Sequence, residues 1–183
     1  MNGKIARFEA ARILLFTIFA TVAYGVLHDQ VTAHLCVEYF TIAHPPLFPT
    51  ESPFLLALGW GFVSTWWVGL LLGTALAAAA RLGAWPRLGL GDVRRPILLV
   101  MLASAIAACL TGAAGAIAAA QGAIPLAPEW RQVIPAGKHV AFAAVAWAHM
   151  ASYLAGAAGG AFVIFLTIRR RAASRNVPAG RTS

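Results

Sequence analysis

Three stretches of this chain, residues 52–80, 96–128 and 139–168, contain no Asp, Glu, Lys or Arg. Each is longer than the roughly 20 apolar residues that cross about 30 Å of hydrocarbon as a helix. Across all 183 residues only 11% are charged and 60% are hydrophobic, whereas a soluble domain carries roughly 25% charged residues. The chain could not cover such runs in water. Two cysteines exclude a disulfide-rich secreted scaffold, and the apolar content excludes disorder. The expected fold class is therefore all-α, an integral membrane protein.

A fourth apolar run, residues 13–27, is shorter. It spans if Ala10 and Ala11 are included, Arg12 snorkels and the helix runs on past His28. The expected spans lie near 9–30, 54–80, 97–120 and 139–168, a four-helix bundle. The first run also fits a cleaved signal peptide, with its basic start and the small residues Ala23 and Gly25. Glu9 in the basic region and Tyr24 between the small residues argue for a retained helix.

Charge sets the orientation. Twelve of the fourteen basic residues fall in three clusters that abut the apolar runs: Lys4, Arg7 and Arg12; Arg81, Arg87, Arg94 and Arg95; Arg169, Arg170, Arg171, Arg175 and Arg181. Residues 28–53 contain none, and residues 121–138 contain only Arg131 and Lys138. The positive-inside rule then puts both termini and the middle loop in the cytoplasm, with 28–53 and 121–138 outside. Basic flanks of this kind are not a nucleic-acid groove, so no nucleic-acid partner is expected despite the formal charge of +8. Residues 169–183 read as a disordered basic tail on anionic lipid headgroups.

Each expected span carries small residues four apart, the spacing that lets helix backbones approach closely in lipid. They are Thr17, Thr21 and Gly25; Gly61, Thr65, Gly69 and Gly73; Ser104, Ala108, Gly112 and Ala116; Ser152, Gly156 and Gly160. Leu at Gly69 or Gly156 is expected to disrupt packing more than Leu at Ala79. At an offset of 87 residues Thr17 meets Ser104, Gly25 meets Gly112, Trp60 meets Trp147 and Gly69 meets Gly156. That match suggests two tandem helical hairpins, and shared packing needs could produce it equally well.

Titratable groups are scarce within the expected spans. His149 is the one lying well inside, so a coupled transporter reading lacks an intramembrane charge, and a bis-histidine haem site lacks a second histidine at that depth. The outer loop 28–53 is richer. It gathers His28, Asp29, Gln30, His34, Cys36, Glu38 and His44 within seventeen residues. Imidazole with carboxylate suits zinc, copper or iron, and His34, Glu38 and His139 are the candidate metal ligands. An outward loop is also polar for no other reason than solvation. Glu38 has no basic residue near it in sequence and lies against Val37, Tyr39 and Phe40. It is expected to dock this loop onto the second outer loop through Arg131, Lys138 or His139.

The run His28-Asp29-Gln30 followed by Glu38-Tyr39-Phe40-Thr41 resembles a segment of uncharacterised bacterial four-span membrane proteins. The resemblance covers about a dozen positions. It implies a multi-pass protein of the bacterial inner membrane and structural or binding roles for Gln30, Glu38 and Tyr39, with none for His34 or Cys36. Two functions follow as expectations. One is a structural or interaction subunit acting through loop 28–53, with a membrane protein or a second copy as partner. The other is a metal- or haem-dependent enzyme at the outer face, with Asp29 and Glu38 as acid/base or ligand groups and His28, His34 and His139 assisting. No cofactor is favoured by the sequence.

Overall fold

The computed structural model describes residues 3–175, with side chains described from Arg7 onward. The chain is an all-α membrane bundle of four long helices. Helix α1 (Gly3–Leu35) is followed by the short α2 (Val37–Thr41), α3 (Pro53–Arg81), α4 (Leu90–Ala120), the short α5 (Pro128–Val133), a 3-10 turn (Ala136–Lys138) and α6 (His139–Arg175). Four segments, Arg7–Leu35, Pro53–Arg81, Leu90–Ala120 and Ala136–Arg175, are long and apolar enough to cross a membrane. Their outer flanks expose Phe19, Leu71, Leu110 and Phe162, as a surface solvated by lipid tails allows.

The helices outrun the apolar segments that announced them. α1 continues five residues past the expected boundary at 30, since no Gly or Pro falls between Gly25 and Leu35, and it ends where Cys36 turns extended. α4 starts at Leu90 rather than 97, with the Asp92 carboxylate accepting the Gly89 N–H at 2.9 Å. α6 runs to Arg175, so residues 169–175, expected in a disordered tail, are its last turns. Leaving the hydrocarbon does not end a helix, since a solvated helical backbone remains hydrogen-bonded. Residues 176–183 lie outside the described residues.

Two hairpins, α1 with α3 and α4 with α6, each pack more closely within themselves than against each other. In the first, a side chain at Gly61 would meet the Val26 backbone at 2.6 Å, and one at Gly69 would meet Ile18 Cα at 2.8 Å. The backbones touch there, as small-residue stripes permit. In the second hairpin Gly112 lies against the Ala144 carbonyl and Ala148. The pairs Gly25–Gly61 and Gly112–Ala148 are equivalent at the 87-residue offset, so the two hairpins cross at matching positions. Gly156 differs. A Cβ there would meet Ser104 Oγ at 3.8 Å and nothing else within 4 Å. The expected packing role of Gly156 does not hold, because its face of α6 looks into a cavity instead of onto a helix.

The end where α1 begins and α6 finishes is locked by polar caps around a cluster of Ile13, Leu76, Ala80, Val93, Ile97 and Val163. Glu9 Oε2 accepts the Leu90 N–H at 3.1 Å, joining α1 to the start of α4. Arg171 of α6 is buried and donates to four carbonyls at the end of α3 and the loop after it: Ala79, Leu82 at 2.8 Å, Trp85 at 3.1 Å and Pro86 at 2.8 Å. At the opposite end, α2 folds back over the mouth of the bundle, where Cys36, Ile134, Phe142 and Val145 form a buried cluster with Tyr39 and Trp130.

Candidate functional site

The stripe Thr17, Thr21, Gly25 continues at four-residue spacing to Asp29, and the helix does not stop before it. Asp29 is therefore carried inward on the buried face of α1, at 4% exposure. His149 on α6 is equally buried, about 15 Å along that helix from His139. The two meet across the hairpin interface, His149 Nε2 lying 3.2 Å from Asp29 Oδ1. His28 completes the group: its ring centroid is 4.6 Å from that of His149, edge to face. Two expectations are corrected here. His28 does supply a second histidine at the depth of His149, and Asp29 is an ionisable carboxyl inside a span. The sequence puts both at the outer end of the first span, where the chain turns polar; α1 runs on past them to Leu35 and keeps Asp29 on its buried face.

Proton accounting makes the group unusual. His149 Nδ1 lies 2.9 Å from the Val145 carbonyl, which can only accept, so that nitrogen carries hydrogen. A neutral ring then points the Nε2 lone pair at Asp29. Two lone pairs at 3.2 Å repel, so a proton or a cation must lie between them. On the other side of the ring, His28 Nε2 is buried with no hydrogen-bond partner.

These groups close one end of a cavity of about 540 Å³ between the hairpins. Its lower wall is apolar, formed by Val68, Leu71, Leu72, Met101 and Ala157. Toward the His–Asp–His end come Tyr24 and Ser152, whose hydroxyls share a 2.6 Å hydrogen bond, and Tyr153. Ser104 Oγ, buried in the wall, has no partner. The exposed rim residues are Trp67 and Leu71 on α3 and Tyr153 and Ala157 on α6, so the cavity opens between those helices toward lipid.

The segment after α1 is a lid. Tyr39 lays its ring 4.6 Å from His149 and 5.5 Å from Phe142, and His44 packs 4.6 Å from Trp60. Burial pushes the Tyr39 phenol up to about 12, so it stays protonated. Glu38 Oε1 pairs with Lys138 Nζ at 3.1 Å, one of the three partners expected for it. The buried Cys36 thiol donates to Glu38 Oε2 at 3.4 Å. Burial pushes this thiol up, which keeps it unreactive. Burial raises the Glu38 carboxyl too, but hydrogen bonds from its own N–H, Lys138 and Cys36 outweigh that and hold it below the usual 4.5.

Of the other residues singled out, Gln30 Nε2 donates to the Phe54 carbonyl at 3.2 Å and ties α1 to the start of α3. His34 is exposed and bonded to the Gln30 carbonyl, and His139 Nε2 meets the Ile134 carbonyl at 2.9 Å. Among the described residues, the His, Cys, Asp and Glu donors that gather closely enough to hold an ion are those of His28, Asp29 and His149. The trio His34, Glu38 and His139 is not brought together, because the helix breaks at Cys36 and carries Glu38 away from His34. The His28 and His149 ring centroids, 4.6 Å apart, also sit too close to hold a porphyrin between them.

The chain matches no protein-family model, no curated protein and no solved structure.

Because the folded state holds Glu38 below its ordinary value, the contribution of the Glu38–Lys138 pair is complete above the usual glutamate range. It is lost as pH falls through the lowered value. Lys138 is 44% exposed, so the coupling between Glu38→Gln and Lys138→Gln in a double-mutant cycle should stay under about 1 kcal/mol. Strictly additive losses would mean that the pair does not dock the lid.

Proposed function

We propose that this chain is a multi-pass protein of the bacterial inner membrane that binds a lipid-soluble molecule between its two hairpins. The occupant has a long apolar body and a small head bearing carbonyl or hydroxyl oxygens, as a quinone has. The cavity carries this reading: it opens toward lipid, is apolar along its length, and gathers its donors and acceptors at one end. The unpartnered Ser104 Oγ calls for a ligand with a polar atom of its own. Trp67 on the rim supplies a fluorescence reporter.

Decylubiquinone should quench the tryptophan fluorescence of the detergent-purified protein saturably, with one site per chain. Gly156→Leu fills the cavity without striking a backbone, so it should weaken quenching at least about tenfold while the fold persists. Equal, unsaturable quenching of both proteins would reject the reading.

In the proposed orientation both termini and the loop between α3 and α4 are cytoplasmic, and the lid is external. The basic clusters at Arg81–Arg95 and Arg169–Arg175 support it, and the exposed Arg169 and Arg175 lie where anionic headgroups would meet them. A reporter after Ser183 should read cytoplasmic and one at Pro49 external; the reverse result at Pro49 overturns the arrangement.

The reading as an interaction subunit keeps one observation. Segment 45–51 is held stiff by Pro45, Pro46 and Pro49 and presents Leu47 at 57% exposure. If it seats a membrane partner or a second copy, Leu47→Ser should reduce the size of the complex extracted from membranes in mild detergent. An unchanged size rejects that role.

A further inference from the structure

We infer that His28, Asp29 and His149 form a binding site for a divalent first-row transition-metal ion at the head of the cavity. This goes beyond occupancy of the cavity and does not depend on what fills it. Three independent features point to the ion.

The first is the donor set. Two imidazoles and one carboxylate, their ligand atoms all within 4.8 Å of one another, converge from two different hairpins. That set suits iron(II), zinc, cobalt or manganese and disfavours calcium and magnesium, which take oxygen ligands. The second feature is spacing. Two ligands each about 2.1 Å from a shared ion stand roughly 3.0–3.4 Å apart in octahedral or tetrahedral geometry. His149 Nε2 and Asp29 Oδ1 are 3.2 Å apart. The third is the state of the two rings. His149 Nδ1 donates to the Val145 carbonyl, which fixes the tautomer that leaves Nε2 free to coordinate. His28 Nε2 is buried and unpartnered. An ion seated among these atoms satisfies all three at once, and it releases the proton otherwise shared by His149 and Asp29. Three protein ligands leave coordination positions open, and these face the cavity.

The test is cobalt(II) titration of the full-length protein in detergent, after stripping with a chelator and dialysis. One equivalent should bind per chain at roughly micromolar concentration or below, with visible d–d absorption, and zinc but not magnesium should displace it. Asp29→Asn and His28→Ala should each weaken binding at least about a hundredfold. A His34→Ala, His139→Ala double variant leaves the interior group intact and should bind as the unaltered protein does. Gly156→Leu should also retain cobalt while losing the apolar ligand, so the failure of either proposal is visible separately. Where an interior variant does not fold, the unaltered protein and the double variant decide. Absence of cobalt absorption in the folded unaltered protein overturns the site, as does loss of binding in the double variant or undiminished binding in a folded Asp29→Asn.

Discussion

Gly61→Leu should pull the first hairpin apart. A single Cβ at this position would already stand 2.6 Å from Val26 Cα, 2.7 Å from Val26 N and 2.9 Å from the Gly25 carbonyl carbon. All are backbone atoms, so no rotamer change relieves the overlap, and the helices must separate along the seam that Gly69 and Gly73 also occupy. In lipid the loss is steep. Apolar side chains exposed by separation are solvated by acyl chains, and association rests on close packing and interhelical polar contacts. We expect a loss of roughly 3 kcal/mol or more, at the severe end for overpacking. It should appear as a lowered thermal midpoint in detergent and as protease sensitivity of α1. Gly156→Leu is the matched comparison, the same exchange on a face that looks into open space. It should cost less than about 1 kcal/mol. Equal losses at 61 and 156 would mean that hairpin stability does not depend on backbone contact.

Arg171→Ala should release the other end of the molecule. Its guanidinium donates to four backbone carbonyls within 79–86 and lies 5.8 Å from the centroid of the Trp85 ring. Those carbonyls lie in the last turn of α3 (Ala79) or beyond it, where the helix has no further N–H to offer them. Removing the donor leaves a cavity lined with unpaired acceptors, with an expected loss of about 3 kcal/mol. Arg171→Lys should recover less than half, because one ammonium cannot reproduce a planar fork spread over four oxygens. The measurements are thermal midpoint and cleavage within the loop 82–89. If Lys restores full stability, charge near the helix end, not the fork, holds the loop.

The different fates of the sequence expectations follow from which physical force each depends on. The four spans follow from charge-free runs, since transfer to hydrocarbon depends on composition within one segment. The hairpin seams follow from small residues four apart, which Gly61, Gly69 and Gly112 bear out and Gly156 does not. Periodicity names a face but not what lies opposite it. Glu38 could be read as a docking residue from its apolar neighbours and its missing partner, and among three candidates the fold selects Lys138. Arg171 looked like one more residue of a basic tail. Only the loop returning past α6 makes it a buried clamp.

The candidate site shows the same division most clearly. The sequence by itself determined that the chain crosses a membrane on four helices and that its polar groups concentrate after the first span. It could not join His28 and Asp29 to His149, 120 positions beyond Asp29. Nothing local to either segment refers to the other. That meeting depends on how the two hairpins lie side by side, which the Tyr24–Ser152 hydrogen bond, the Glu9 and Arg171 caps and the folded-back lid fix together. Transfer free energy is a property of a segment and can be read along the chain. The convergence of three ligand atoms is a property of tertiary packing, and it exists only once the hairpins have met.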